Sequence, residues 1–107
     1  PCLDEATVRA RVLLPACAQA GCHSAAKAEA DLDLETPDVA ARLRDLTSVH
    51  PSCATQPLLV PGDAAASFLV LKTLGLQRGC GDAMPPDGDL RPEQRRCLAE
   101  WVTALED

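Results

Sequence analysis

"CAQAGCHSAA", residues 17–26, decides how the rest of the chain is read. It places two cysteines and one of the chain's two histidines within seven residues. Thiolate sulfur and imidazole nitrogen bind soft and borderline metals, and paired thiols also form disulfides. Gly21, directly before Cys22, supplies the backbone freedom that a tight fold-back needs. A second isolated signal lies far along the chain. "GDAMPPDG", residues 81–88, holds the only methionine, Met84, followed by two prolines. Gly/Pro-rich loops run over the surface, where a methionine fills no core. Its thioether is a soft sulfur ligand.

The composition leaves the interior short of bulk. The 107 residues suit one domain spanning 1–107. Hydrophobic residues make up 47%, but 18 of them are alanine and only Phe68 and Trp101 are aromatic. An aromatic side chain buries about 150–250 Å². The middle must therefore be filled by leucines or by a group that is not an amino acid. Ten basic residues against sixteen acidic give a net charge of −6. That balance excludes a nucleic-acid binder, which needs a basic patch for phosphates. It also disfavours docking to anionic membranes and steers the chain toward partners with a basic face. No apolar run approaches the ~18 residues of a membrane span.

Six cysteines in so short a chain point to an oxidising compartment, periplasmic or extracellular. The even count fits three disulfides, or two thioethers and two disulfides. No secretory leader is visible, and Pro1-Cys2 at the start reads as a trimmed mature domain. A disulfide suits Cys2 better than a lipid anchor, given Pro1 before it.

Four short helices with long connections are predicted. Asp4 caps the first, which runs to about Leu14 and is ended by Pro15. Residues 15–35 read as a loop, with Leu32 and Leu34 tucked inward. Thr36 caps the second helix, Pro37 takes its first position, and Val39, Leu43 and Leu46 form one face. "PLLVPGD", residues 57–63, is extended between prolines, without a partner strand. Asp63 caps a third helix to about Leu74, closed by Gly75. Residues 75–89 hold four glycines and two prolines and read as loop. Pro92 opens the last helix, with Cys97, Leu98, Trp101, Val102 and Leu105 on its inner side. Helices this short are marginal alone, and loops this long are uncommon in a compact domain unless they act on or enclose something.

Covalent haem explains the two signals together. The usual attachment signal is Cys-x-x-Cys-His. Each sulfur adds to one vinyl group of the porphyrin, and the adjacent histidine becomes the fifth iron ligand. The gap here is four residues, Cys-x4-Cys-His, which lengthens the fold-back while keeping Cys22 and His23 adjacent. A methionine from a distant loop supplies the sixth ligand in electron-transfer cytochromes.

The order of motifs resembles a class I c-type cytochrome, as found in single-haem domains of bacterial exported proteins. The likeness is carried by Cys22-His23, Met84-Pro85-Pro86, "LLVPGD" followed by "SFLVLK", and "LRPEQRRCLAEWV". It covers nearly the whole chain and departs at the two extra residues between the cysteines. It implies an all-α, cytochrome c-like fold wrapped around one haem c. It implies Cys17 and Cys22 as thioether sites, and His23 and Met84 as axial ligands. It further implies crossing first and last helices, with Trp101 near the crossing. Cys2 and Cys97 would then be within reach of each other, leaving Cys53 and Cys80 to tie down the loop that leads to Met84. The implied function is one-electron transfer between redox partners, not catalysis, because both axial positions are filled.

Other readings stay open. Cys17 and Cys22 form a local disulfide in a haem-free, disulfide-stapled secreted binding module. A haem sensor or peroxidase-like domain has the same motif with a labile Met84. Zinc on Cys17, Cys22 and His23 lacks a second closely spaced ligand pair. Copper on His, Cys and Met ordinarily sits on a β-sandwich. His50, before Pro51, reads as a solvated loop residue in preference to a ligand. Lys72, Arg95 and Arg96 lie on solvated faces, with one of them as a candidate partner for a haem propionate. Asp31, Asp33 and Glu35 lack the glycine and spacing of a calcium loop and read as a solvated turn.

Overall fold

The computed structural model describes residues 2–18, 23–24, 26, 32–47, 56–76, 84–85 and 90–106. Cys22, His50, Cys53 and Cys80 lie outside the described residues. Among the described residues all regular structure is helical. The nearest approach to a sheet there is an isolated antiparallel bridge between Thr47 and Pro57.

The chain enters helix α1, Glu5–Val8, at the predicted cap: Asp4 Oδ1 accepts from the Thr7 N–H at 2.8 Å. Pro15 does not end it. The helix widens into a π-helical segment, Arg9–Cys17, with Pro15 inside it. A π turn reaches five residues back, as in the bond from the Ala18 N–H to the Leu13 carbonyl. Proline's usual penalty in a helix includes a clash with the carbonyl four residues back. In the wider turn that carbonyl is offered to the residue after the proline, whose N–H is present. The helical path therefore delivers Cys17 directly, with no intervening loop. Val8, Val12 and Leu13 are all buried on its inner side.

Helix α2, Val39–Leu43, starts later and stops earlier than its sequence predicts. Thr36 is not its cap. The Val39 and Ala40 N–H groups donate to Glu5 Oε2 and Oε1, each at 3.0 Å, so a carboxylate from α1 caps α2. Asp38 enters the helix with a φ of 64°, in the left-handed region. Because the helix ends at Leu43, Leu46 falls outside its inner face and is exposed.

The predicted third helix is broken in two. Asp63 caps only a 3-10 turn, Ala64–Ala66, and helix α3, Phe68–Thr73, follows Ser67. The buried Ser67 hydroxyl explains the break. It donates to the Asp63 carbonyl at 2.9 Å and accepts the Val60 N–H at 2.8 Å, pinning the extended stretch to the helix start. Gly75 closes α3 as predicted, with a φ of 72°. The Leu76 N–H reaches back to the Leu71 carbonyl at 3.0 Å, the bond that satisfies a helix end one residue past a left-handed glycine.

Helix α4, Pro92–Ala104, is the longest, and Pro92 opens it as predicted. It packs against α1 and the π-helical segment, and Cys97, Leu98, Trp101 and Val102 are buried in the shared core. Three further ties fix it. Gln94 Nε2 donates to the Arg11 carbonyl at 3.1 Å, and the Gly62 N–H donates to the Val102 carbonyl at 2.9 Å. The Cys2 and Cys97 sulfurs are 2.07 Å apart, at disulfide-bonding distance.

Candidate functional site

His23 is held from three directions. Its backbone N–H donates to the Cys17 carbonyl at 3.1 Å, and its own carbonyl accepts from the Leu34 N–H at 2.8 Å. The third contact joins ring Nδ1 to the Leu32 carbonyl at 3.0 Å. A carbonyl oxygen only accepts, so this bond assigns the proton to Nδ1. In the neutral ring Nε2 then carries the lone pair, the arrangement of a ligating imidazole. The residue is 9% exposed, and neighbouring Ser24 is buried as well.

The bond between His23 and Cys17 bears on the extra residues of the motif. It spans six positions and brings the chain back to the end of the π-helical segment. Cys17 and His23 are thus backbone neighbours despite the longer spacing. Cys17 is half-buried and packs against the hydrophobic core.

Met84 is fixed to a different element. Its N–H donates to the Lys72 carbonyl at 2.9 Å, near the end of α3. The side chain is part-buried. Lys72 extends over the Phe68 ring at 5.7 Å from the centroid, within cation–π range. Leu74 and Leu76, just beyond Lys72, are 47% and 54% exposed. The structure therefore joins Cys17 to His23 through the backbone and anchors Met84 to α3. Two shallow surface depressions, one lined by Leu3, Ala99 and Thr103 and the other by Arg11, Pro15 and Gln94, include neither His23 nor Met84.

The turn that carries the Leu32 carbonyl is bound on every side. Asp33 Oδ1 accepts from the Glu35 and Thr36 N–H groups at 2.8 and 3.0 Å, and Oδ2 accepts the Thr36 hydroxyl. That hydroxyl is the main reason the Asp33 carboxyl sits below the ordinary aspartate pKa. Arg42, from α2, donates to the carbonyls of Asp33, Thr36 and Pro37. Arg9 donates through Nε and Nη2 to the Glu35 carbonyl. Asp33 is committed to this turn, while Asp31 of the acidic cluster lies outside the described residues. Among the described residues no group of three His, Cys, Asp or Glu side chains converges as a metal site.

Sequence reasoning singled out His23, Cys17 and Met84 by residue type. It missed Leu32, Arg9, Arg42 and Glu5. Every residue has a carbonyl, so nothing in the sequence marks that of Leu32. The other three act on partners 26 or more positions away, or on backbone atoms whose direction depends on the fold. No family model, curated protein or solved structure matches this chain.

Proposed function

We propose that the chain is a monohaem electron-transfer domain of the c-type cytochrome kind, with His23 and Met84 as axial ligands and Cys17 and Cys22 as attachment sites. The observation that carries the reading is the contact of the His23 ring Nδ1 with the Leu32 carbonyl. A buried imidazole gives its Nδ1 proton to a carbonyl and keeps Nε2 available to a metal. Haem, when bound, supplies a one-electron ferric/ferrous couple and no open coordination position.

The chain's own residues do the rest. The Cys17 carbonyl holds the His23 backbone, and the Lys72 carbonyl holds that of Met84. Leu74 and Leu76 offer apolar surface near the Met84 anchor for a macrocycle to cover. The net charge of −6 favours redox partners with a basic docking face. With both His23 and Met84 on the iron, the chain would serve as a carrier and not as an enzyme. The disulfide chemistry points to an oxidising compartment, periplasmic or extracellular. No helix of the described residues is long and apolar enough to cross a membrane.

A pyridine haemochrome spectrum and an intact mass after denaturation test this reading. The expected result is one haem per chain that stays with the polypeptide. A colourless sample with the mass of the polypeptide alone sinks it. The Cys2–Cys97 disulfide fits equally well a haem-free stapled binding module, and the same two measurements separate them. Carbon monoxide binding to the reduced protein identifies the sensor or peroxidase-like alternative with a labile Met84.

A further inference from the structure

We propose that Arg42, assisted by Arg9 and Asp33, is a positioning residue that fixes the hydrogen bond between the Leu32 carbonyl and His23. For its functional meaning this rests on the haem reading above, since His23 is the residue that reading gives to the iron.

The turn from Leu32 to Pro37 has no regular structure of its own, yet its carbonyls are almost all engaged. Arg42 takes those of Asp33, Thr36 and Pro37 at 2.9, 2.5 and 3.2 Å. Arg9 takes that of Glu35 at 3.1 Å through Nε. The Asp33 carboxylate closes the inside of the same turn on the Glu35 and Thr36 N–H groups. A guanidinium presents up to five donors in a rigid plane, so it locks several carbonyls in one geometry where a lysine could not. The peptide before Asp33 is thereby held with its oxygen on His23 Nδ1. On its other side, the Leu34 N–H to His23 carbonyl bond makes the contact two-point. Three separate elements thus converge on the turn that carries this acceptor: α2 through Arg42, the π-helical segment through Arg9, and the turn itself through Asp33.

The strength of an Nδ1–H bond sets how much electron density the imidazole gives its metal. Loosening the turn weakens that bond and makes His23 a poorer donor. The ferric state then loses stabilisation, and the midpoint potential rises. The two arginines bond carbonyls of the turn and not His23 itself.

The test is the ring Nδ1–H of His23, read by 15N-resolved NMR in the reduced protein as purified, in wild type, Arg42→Gln and Arg44→Gln. Arg44 lies just after α2 and donates to the Glu106 carbonyl at 3.3 Å, so it controls for the loss of a guanidinium near the same helix. In R42Q the Nδ1–H is expected to exchange roughly five- to tenfold faster, the scale of one hydrogen bond's net contribution. The midpoint potential moves upward with it. R44Q leaves both unchanged. A folded R42Q with wild-type exchange and wild-type potential overturns the proposal. Where R42Q does not fold, Arg9→Gln, which releases only the Glu35 carbonyl, carries the same comparison. A sample without porphyrin overturns the haem reading alone. There the Nδ1–H signal and tautomer of His23 still decide whether Arg42 positions it.

Discussion

At the scale of single residues, histidine and methionine are the scarce side chains here, with two of the first and one of the second. Met84 is the only methionine, and its neighbours are glycines and prolines. Replacing it with alanine is expected to lower the midpoint potential and let the reduced protein bind carbon monoxide. A redox titration and a carbon monoxide difference spectrum check this, and wild-type values in both remove Met84 from the iron. Asp4 and Asp33 make a separate prediction. Each has its pKa lowered, Asp4 chiefly by the Thr7 N–H and Asp33 chiefly by the Thr36 hydroxyl. A group whose folded pKa is depressed stabilises the fold fully above its unfolded value, about 3.9 for aspartate. That stability is lost as pH falls through the lower, folded value. The urea midpoint should therefore decline below about pH 4, and Asp33→Asn should flatten the decline. His23 and Met84 could be singled out as candidates from the sequence by residue type and scarcity. The carbonyl that orients His23 could not, since main-chain atoms carry no label in a sequence.

At the scale of elements, local signals succeeded where the partner was local. Asp4 at the start of α1, Gly75 at the end of α3 and Pro92 at the start of α4 all act within one helical turn. The expectations that failed were overridden from a distance or by a change of helix type. Pro15 would stop an α-helix, but the segment around it is wound more widely. Thr36 would cap α2, but it is drawn into the Asp33 turn and Glu5 takes the helix end. Glu5→Ala should therefore damage α2 and not only its own helix. Five residues cannot hold a helix unaided, so losing a charged cap at two N–H groups is expected to cost about 1–2 kcal/mol. Chemical denaturation measures the loss, and amide exchange at Val39 and Ala40 places it. Unchanged protection at those two amides would falsify the cross-helix cap.

At the scale of the whole molecule, the core is assembled from both ends of the chain. Val8, Val12 and Leu13 meet Leu98, Trp101 and Val102, so the aromatic deficit is met in part by one tryptophan at the centre. The pattern of α4 showed its inner face, but cysteine pairing does not follow from spacing. The Cys2–Cys97 link could be anticipated only by way of a family likeness that placed the two helices together. With 95 positions between its cysteines, the link closes nearly the whole chain into one loop. Reducing it is expected to cost about 4–5 kcal/mol on the chain-entropy account. Thermal unfolding of oxidised and reduced samples gives the difference directly.

The same link changes how the domain responds to tension. A pull applied outside Cys2 and Cys97 runs along the sulfur–sulfur bond and leaves the fold between them unloaded. Stretched in an optical trap, the oxidised domain should lengthen only by the residues of α4 that follow Cys97. Added reductant should release the enclosed length in one abrupt step.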